Sequence, residues 1–186
     1  MKLDEFLPEY DFNEIHSVMV KATPEKVYTA TKQLLPSELS PIVFLMLNMR
    51  ALPAKLLGKS GNETWKETPF LSQLLDGGFI PLADIEHEVV FGLIGQFWKL
   101  NGGEDVQIAN PQAFVDFNET DFAKVAANLI CREEREGTLL CTETRIWAPD
   151  AQTRKKFAFY WRLISLGSGW IRMMWLRAIK RRAESE

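Results

Sequence analysis

Glu143 and Arg145 stand two apart in Thr142-Glu143-Thr144-Arg145-Ile146. The β-branched residues around them mark a strand, so a carboxylate and a guanidinium share one face. Such a pair is either a solvent-face ion pair worth about 0–1 kcal/mol or a buried polar anchor in a cavity; the solvent face is the preferred reading. His87 precedes the apolar positions Val89, Phe91 and Leu93. An imidazole on that face would suit a general acid or base in an enol-forming or cyclising reaction, although a histidine at a strand end is ordinarily structural. Tyr160 carries a polar tip on an otherwise apolar helical stripe and would suit holding a ligand oxygen, with core packing as its plainer role.

Other chemistry is excluded more firmly. Asp84, Glu86 and Glu88 flank His87, but His16 lies far away in the chain, and an acidic strand turn is ordinarily solvated; no metal is expected. No Gly-x-Ser-x-Gly elbow, full Gly-x-x-x-x-Gly-Lys-Ser/Thr phosphate loop or Gly-x-Gly-x-x-Gly run occurs, so no nucleotide cofactor is expected either. Cys131 and Cys141 are too few for a four-cysteine metal site. They read as small buried hydrophobes, with a disulfide only geometrically conceivable. The sequons at Asn62 and Asn118 carry no meaning without secretion.

Which way Glu143 and Arg145 point depends on hairpin register. A two-residue loop at Glu136-Gly137 sets 131 opposite 142. Leu129, Cys131, Thr142, Thr144 and Ile146 then share one face, and the charged pair takes the other. A three-residue loop sets 131 opposite 141 and brings Glu143, Arg145 and Trp147 to the side of Leu129 and Cys131. A one-residue slip reverses every side chain.

The elements that must position these groups are legible from start signals and periodicity. Residues 1 to about 10 read as a loose arm, and Phe12 to Lys21 as a strand. Thr23-Pro24-Glu25 opens a helix to about Leu35, with a hydroxyl cap, proline in the first turn and an acid behind it. Ser40-Pro41 opens a second helix, apolar nearly all round from Ile42 to Leu47, hence buried or lining a cavity. Thr68-Pro69 opens a third that stops at Asp76-Gly77-Gly78. Strands follow at Phe79–Ala83 and at His87–Lys99, the second bent or bulged at Gly92 and Gly95. A short strand is expected near Val106–Ala109, and Asn110-Pro111 starts a turn or two of helix presenting Phe114 and Phe117. Phe122–Arg132 and Thr138–Trp147 form a hairpin. Asp150 caps a final helix to about Arg182, kinked at Gly167-Ser168-Gly169, whose stripe includes Phe157, Tyr160, Trp161, Ile164, Ile171, Met174 and Trp175.

The 186 residues carry 46% hydrophobic and 25% charged side chains, as one globular α+β domain does. The longest apolar run falls far short of the roughly 20 residues that span a bilayer. The acidic start lacks the basic and apolar regions of a signal peptide, so the expected location is cytoplasmic. The net charge of −3 is uneven: residues 150–186 hold nine Lys/Arg against three Asp/Glu, and the rest 13 against 22. A basic helix lying against an acidic body is the plain explanation; contact with an anionic membrane surface is the sharper one, and would need Trp161 and Trp175 exposed. Basic strand positions are not interleaved with aromatics, so no nucleic-acid partner is expected.

This order resembles the helix-grip fold of the START and Bet v 1-like superfamily, which includes polyketide cyclases and lipid-transfer proteins. The resemblance rests on Val20-Lys21-Ala22-Thr23-Pro24-Glu25-Lys26-Val27-Tyr28, on Gly95-Gln96-Phe97-Trp98 within the sheet, on Thr142 to Ile146, and on the closing helix with Phe157 to Trp161. It implies residues 1–11 as an arm and 12–186 as one domain, a curved antiparallel sheet wrapped around a long C-terminal helix, and a cavity between them for a small hydrophobic or amphipathic molecule. It carries no catalytic set. The expected lining is Phe44, Met46, Met49, Phe91, Leu93, Phe97, Phe114, Phe117, Phe157, Tyr160, Trp161 and Ile164. The expected activity is non-catalytic carriage or sensing of a lipid- or polyketide-like compound. A cyclase or dehydratase is the alternative, and needs His87 within reach of Glu143 or Arg145.

Overall fold

The computed structural model describes residues 1–44, 66–85, 87–99, 104, 106 and 108–185. Its elements are α1 (Leu3–Phe6), β1 (Phe12–Val20), α2 (Pro24–Gln33), α3 (Phe70–Asp76), β2 (Ile80–Ile85), β3 (Glu88–Gly95), α4 (Pro111–Asp116), β4 (Ala123–Glu134), β5 (Gly137–Trp147) and α5 (Ala151–Ser185). The five strands form one curved antiparallel sheet in the order β1-β5-β4-β3-β2. The 35-residue α5, about 52 Å long at 1.5 Å per residue, lies across one face with α2 beside it, the helix-grip arrangement.

The start signals work as capping chemistry predicts. Thr23 Oγ1 accepts from the Lys26 amide, and Asn110 Oδ1 from the Ala113 amide at 2.9 Å. Asp150 Oδ1 accepts from the amides of Gln152 and Thr153 at 2.8 and 2.9 Å. Residues 41–44 are helical as expected; the remainder of that apolar run lies outside the described residues.

Alternation along the strands gives the sheet two covered faces. On the α5 side, Val89, Phe91, Ala127, Leu129 and Leu140 meet Val27, Ala30 and Leu34 from α2 and its end, and Trp175, Leu176 and Ile179 from α5. On the other side, Val90, Ile94 and Ala126 meet Leu82, Phe114 of α4, and Leu3 and Leu7. The first ten residues are therefore no loose arm. Leu3 and Leu7 are four apart and share a face, and both are buried. The Glu88 carboxylate fixes the start of α1 by accepting from the amides of Lys2 at 2.8 Å and Leu3 at 3.3 Å.

Several boundaries differ from the sequence reading. β3 ends at Gly95, and Phe97 and Trp98 form a turn. β3 pairs with β4 without a shift, so the glycines do not make a bulge; the irregularity falls between Pro81 and Ala83 of the edge strand, where proline withholds its ladder donor. β2 extends to Ile85, and the described positions among 106–109 are not strand. The β4–β5 loop is Arg135-Glu136, a two-residue loop one residue earlier than Glu136-Gly137, because Glu134 pairs with Gly137. Cys131 then opposes Leu140, and Cys141 opposes Ile130, so the two thiols point to opposite faces and are free. α5 is continuous through Gly167-Ser168-Gly169. Gly169 serves close approach: a β-carbon there would stand 2.3 Å from Glu14 Oε1 on β1.

Candidate functional site

Between the sheet and α5 lies a cavity of about 170 Å³. β3 contributes Phe91 and Leu93 to its wall, and the turn after it Phe97. β4 and β5 contribute Val125, Ala127, Thr142, Thr144 and Ile146. α5 contributes one stripe from Phe157 through Tyr160, Trp161, Ile164, Ser168, Ile171 and Arg172 to Trp175; Phe70 and Leu74 of α3 and Phe79 close it. Edge-to-face and tilted aromatic contacts fix much of this wall: Phe70 on Trp175, Phe91 on Trp175, Phe79 on Phe91, Phe97 on Phe157.

Three buried polar atoms interrupt the apolar lining. Thr142 Oγ1 donates to the Asn128 carbonyl oxygen at 2.7 Å. Thr144 Oγ1 and Trp175 Nε1 are buried and have no hydrogen-bond partner among the described residues. An unmet buried donor or acceptor costs roughly 1–3 kcal/mol, so two in one small cavity require an explanation. The indole offers a donor and the hydroxyl a donor or an acceptor. Cys131 belongs to the same core; burial, with the Cys141 thiol nearby, pushes its pKa up to about 12, so it stays a thiol and offers no nucleophile.

The sheet's other face sets a cluster of satisfied buried polar groups beside its apolar core. Arg145 Nε meets Glu143 Oε1 at 2.7 Å, its Nη2 meets Asp4 Oδ1 at 2.8 Å, and its Nη1 donates to the Leu7 carbonyl at 3.0 Å. The guanidinium also lies 4.9 Å from the centre of the Tyr10 ring. Asn128 Nδ2 donates to Glu88 Oε1 at 2.7 Å, and its Oδ1 accepts from the Glu143 amide at 2.9 Å. Glu143 and Arg145 therefore point away from α5, as the two-residue-loop alternative required. They are not a solvent-face pair, because the N-terminal segment covers them. His87 occupies the β2–β3 turn with φ of 65°. Its ring packs edge-on to Tyr28 and its Nε2 lies 3.9 Å from Glu25 Oε1. Neighbouring Asp84 accepts from Tyr28 and Lys32; burial and that bond raise the Tyr28 pKa. Glu143 and Arg145 are thus paired with each other but His87 is not brought to them, and none of the three lines the cavity. Among the described residues no group of three His, Cys, Asp or Glu is placed to hold a metal.

No family model matches this chain, and no curated protein matches it. Among solved structures it is similar to TTHA0849 from Thermus thermophilus, at 10% identity over 92% of this chain and 97% of that one, with a TM-score of 0.37.

Seven expected lining residues are in the wall: Phe91, Leu93, Phe97, Phe157, Tyr160, Trp161 and Ile164. Phe114 and Phe117 are not; they lie under the opposite face, where Phe114 packs into the core of α1 and β3. Phe44 packs beside the main core rather than in the lining. Met46 and Met49 lie outside the described residues. Thr144 and Trp175 were not among the expected ligand contacts. The strand alternation held the signal for Thr144, since the face of Ala127 and Leu129 also takes its cross-strand partner.

An open groove of about 480 Å³ runs along the outer side of α5 next to β1. In its wall, Glu14 bridges His16 Nε2 at 2.7 Å and Arg172 Nη1 at 2.6 Å. Trp161 borders both groove and cavity. No helix among the described residues is long and apolar enough to cross a membrane.

Proposed function

We propose that the chain binds a small, mainly apolar molecule between the sheet and α5, as a carrier or sensor of the START and Bet v 1-like kind. The observation that carries this reading is the pair of buried atoms with no partner among the described residues, Thr144 Oγ1 and Trp175 Nε1, in a mainly aromatic and aliphatic wall that also holds Thr142, Tyr160, Ser168 and Arg172. A ligand with one polar group would meet them while its apolar part takes up the remaining space. Cavities of roughly 150 Å³ accept benzene, and drug-sized sites run to about 300–1,000 Å³. At about 170 Å³ this cavity suits a single ring bearing a hydroxyl or carbonyl, or a short acyl chain, rather than a whole lipid. Binding energy would come from apolar burial, with the hydroxyl and indole fixing orientation.

Native mass spectrometry of the purified chain, then denaturation and identification of released compounds, tests this. A near-stoichiometric ring or short-chain compound, reduced in Thr144→Val, is the expected result. A protein that carries nothing and takes up none of a panel of substituted phenols and short fatty acids would refute it.

A further inference from the structure

We propose that the outward face of α5 docks on an anionic lipid surface. Four large apolar side chains stand in solvent along this helix: Phe159 is 71% exposed, Leu163 70%, Leu166 89% and Trp170 37%. Their spacing of four, three and four places them on one helical face about 16 Å long, turned away from the core stripe. The membrane contact expected from the sequence, through Trp161 and Trp175, fails, because Trp175 is buried and Trp161 half-buried; the face proposed here is a different one. A row of neighbouring exposed apolar side chains is uncommon on a protein without a partner for it.

Charge selects the partner. The basic residues of α5 divide into two sets. Six are held by other groups: Arg154 by Asp11, Lys156 by Asp121, Arg172 by Glu14, Arg182 by Glu38, and Lys180 and Arg181 by the carbonyl oxygens of Met19 and Glu38. Lys155, Arg162 and Arg177 are exposed, flank the apolar row, and have no ion-pair partner among the described residues. No acidic residue occurs between Asp150 and Glu184. Two copies paired through this face would crowd like charges with nothing to neutralise them. An anionic bilayer surface accepts the apolar row among its acyl chains and the cations among its head groups. Leu166 and Trp170 also border the open groove, so the docking face neighbours the ligand cavity through Trp161. The inference rests on exposure and charge, and stands whether or not the cavity is filled.

The test is co-sedimentation of the full chain with vesicles of phosphatidylcholine alone and of phosphatidylcholine mixed equally with phosphatidylglycerol. The expected result is binding to the mixed vesicles that weakens at high salt, with little binding to the neutral ones. Phe159→Ser, Leu163→Ser and Leu166→Ser combined should cut it by about tenfold or more while circular dichroism stays unchanged, since these side chains make no core. Lys155→Glu with Arg162→Glu should cut it comparably, and small-ligand uptake should persist in both variants. No binding to mixed vesicles, equal binding to both kinds, or binding indifferent to the serine variant would each overturn the proposal. So would a solution dimer that the serine variant dissolves, which would assign the face to a second copy.

Discussion

The two faces of the sheet solve the same burial problem in opposite ways. On the side of α1, buried polar groups are numerous and matched: Glu88, Asn128 and Arg145 all find donors or acceptors at 2.7–3.3 Å. On the side of α5, the buried polar groups of the cavity wall are hydroxyls and an indole rather than charges, and Thr144 Oγ1 and Trp175 Nε1 have no partner among the described residues. Folding alone explains the first pattern, because charge is tolerated in a core when it is paired. It does not explain the second, where an all-apolar wall would have been cheaper. The buried charges here are matched within the fold, whereas the hydroxyl of Thr144 and the indole of Trp175 are the atoms on which the proposed ligand site rests.

The strongest way to break this contrast is Arg145→Ala. It strips Glu143, Asp4 and the Leu7 carbonyl of their common partner, and should cost about 3 kcal/mol in urea unfolding. Ligand uptake by the folded fraction should not change; a stable variant with lost uptake would reverse the roles assigned to the two faces. Next is Gly169→Ala. In an isolated helix this change gains about 1 kcal/mol, but here the new methyl meets Glu14 Oε1, and a net loss of about 1 kcal/mol is expected. A gain would show that the Glu14 carboxylate swings aside from the methyl. Thr144→Val should move in the unusual direction, raising stability of the empty protein by about 0.5–1 kcal/mol while weakening ligand binding. A loss of stability would mean that the hydroxyl already has a partner.

The smallest expected effect is at low pH. Hydrogen bonds from Lys156 and Lys99 hold the Asp121 carboxyl below its ordinary 3.8, and bonds from Thr153 and its amide do the same for Asp150. Both contribute stability that is present above pH 3.8 and lost as pH falls through their folded values. Both lie near the start of α5, so Asp150→Asn should blunt the acid-side fall in an unfolding midpoint measured against pH. An unchanged acid limb would place that sensitivity elsewhere.

Much of this architecture was legible because it rests on local chemistry. Thr23-Pro24, Asn110-Pro111 and Asp150 open helices through bonds between residues two or three apart. The Val125, Ala127, Leu129 alternation assigned the inner face of β4. What escaped depends on residues far apart in the chain. Nothing near Leu3 announces that Glu88, 85 residues away, will fix α1, so a packed segment read as a loose arm. Phe114 and Phe117 looked like cavity aromatics because periodicity shows a shared face but not which side of the sheet it covers. The hairpin loop fell one residue early because Glu136-Gly137 is the commoner turn signature, while Gly137 here begins the strand with φ of 137°.

The central claim is that the space between the sheet and α5 is a ligand site. It is tested most directly by thermal unfolding of the wild type and of Ala127→Leu, each with and without phenol. Ala127 lines the cavity, and the larger side chain occupies part of it without adding a polar group. A ligand that binds only the folded state raises its midpoint. The account predicts a phenol-dependent rise in the wild type that is largely absent in Ala127→Leu, whose midpoint without phenol is equal or higher. Equal shifts in the two proteins, or none in the wild type, would contradict it.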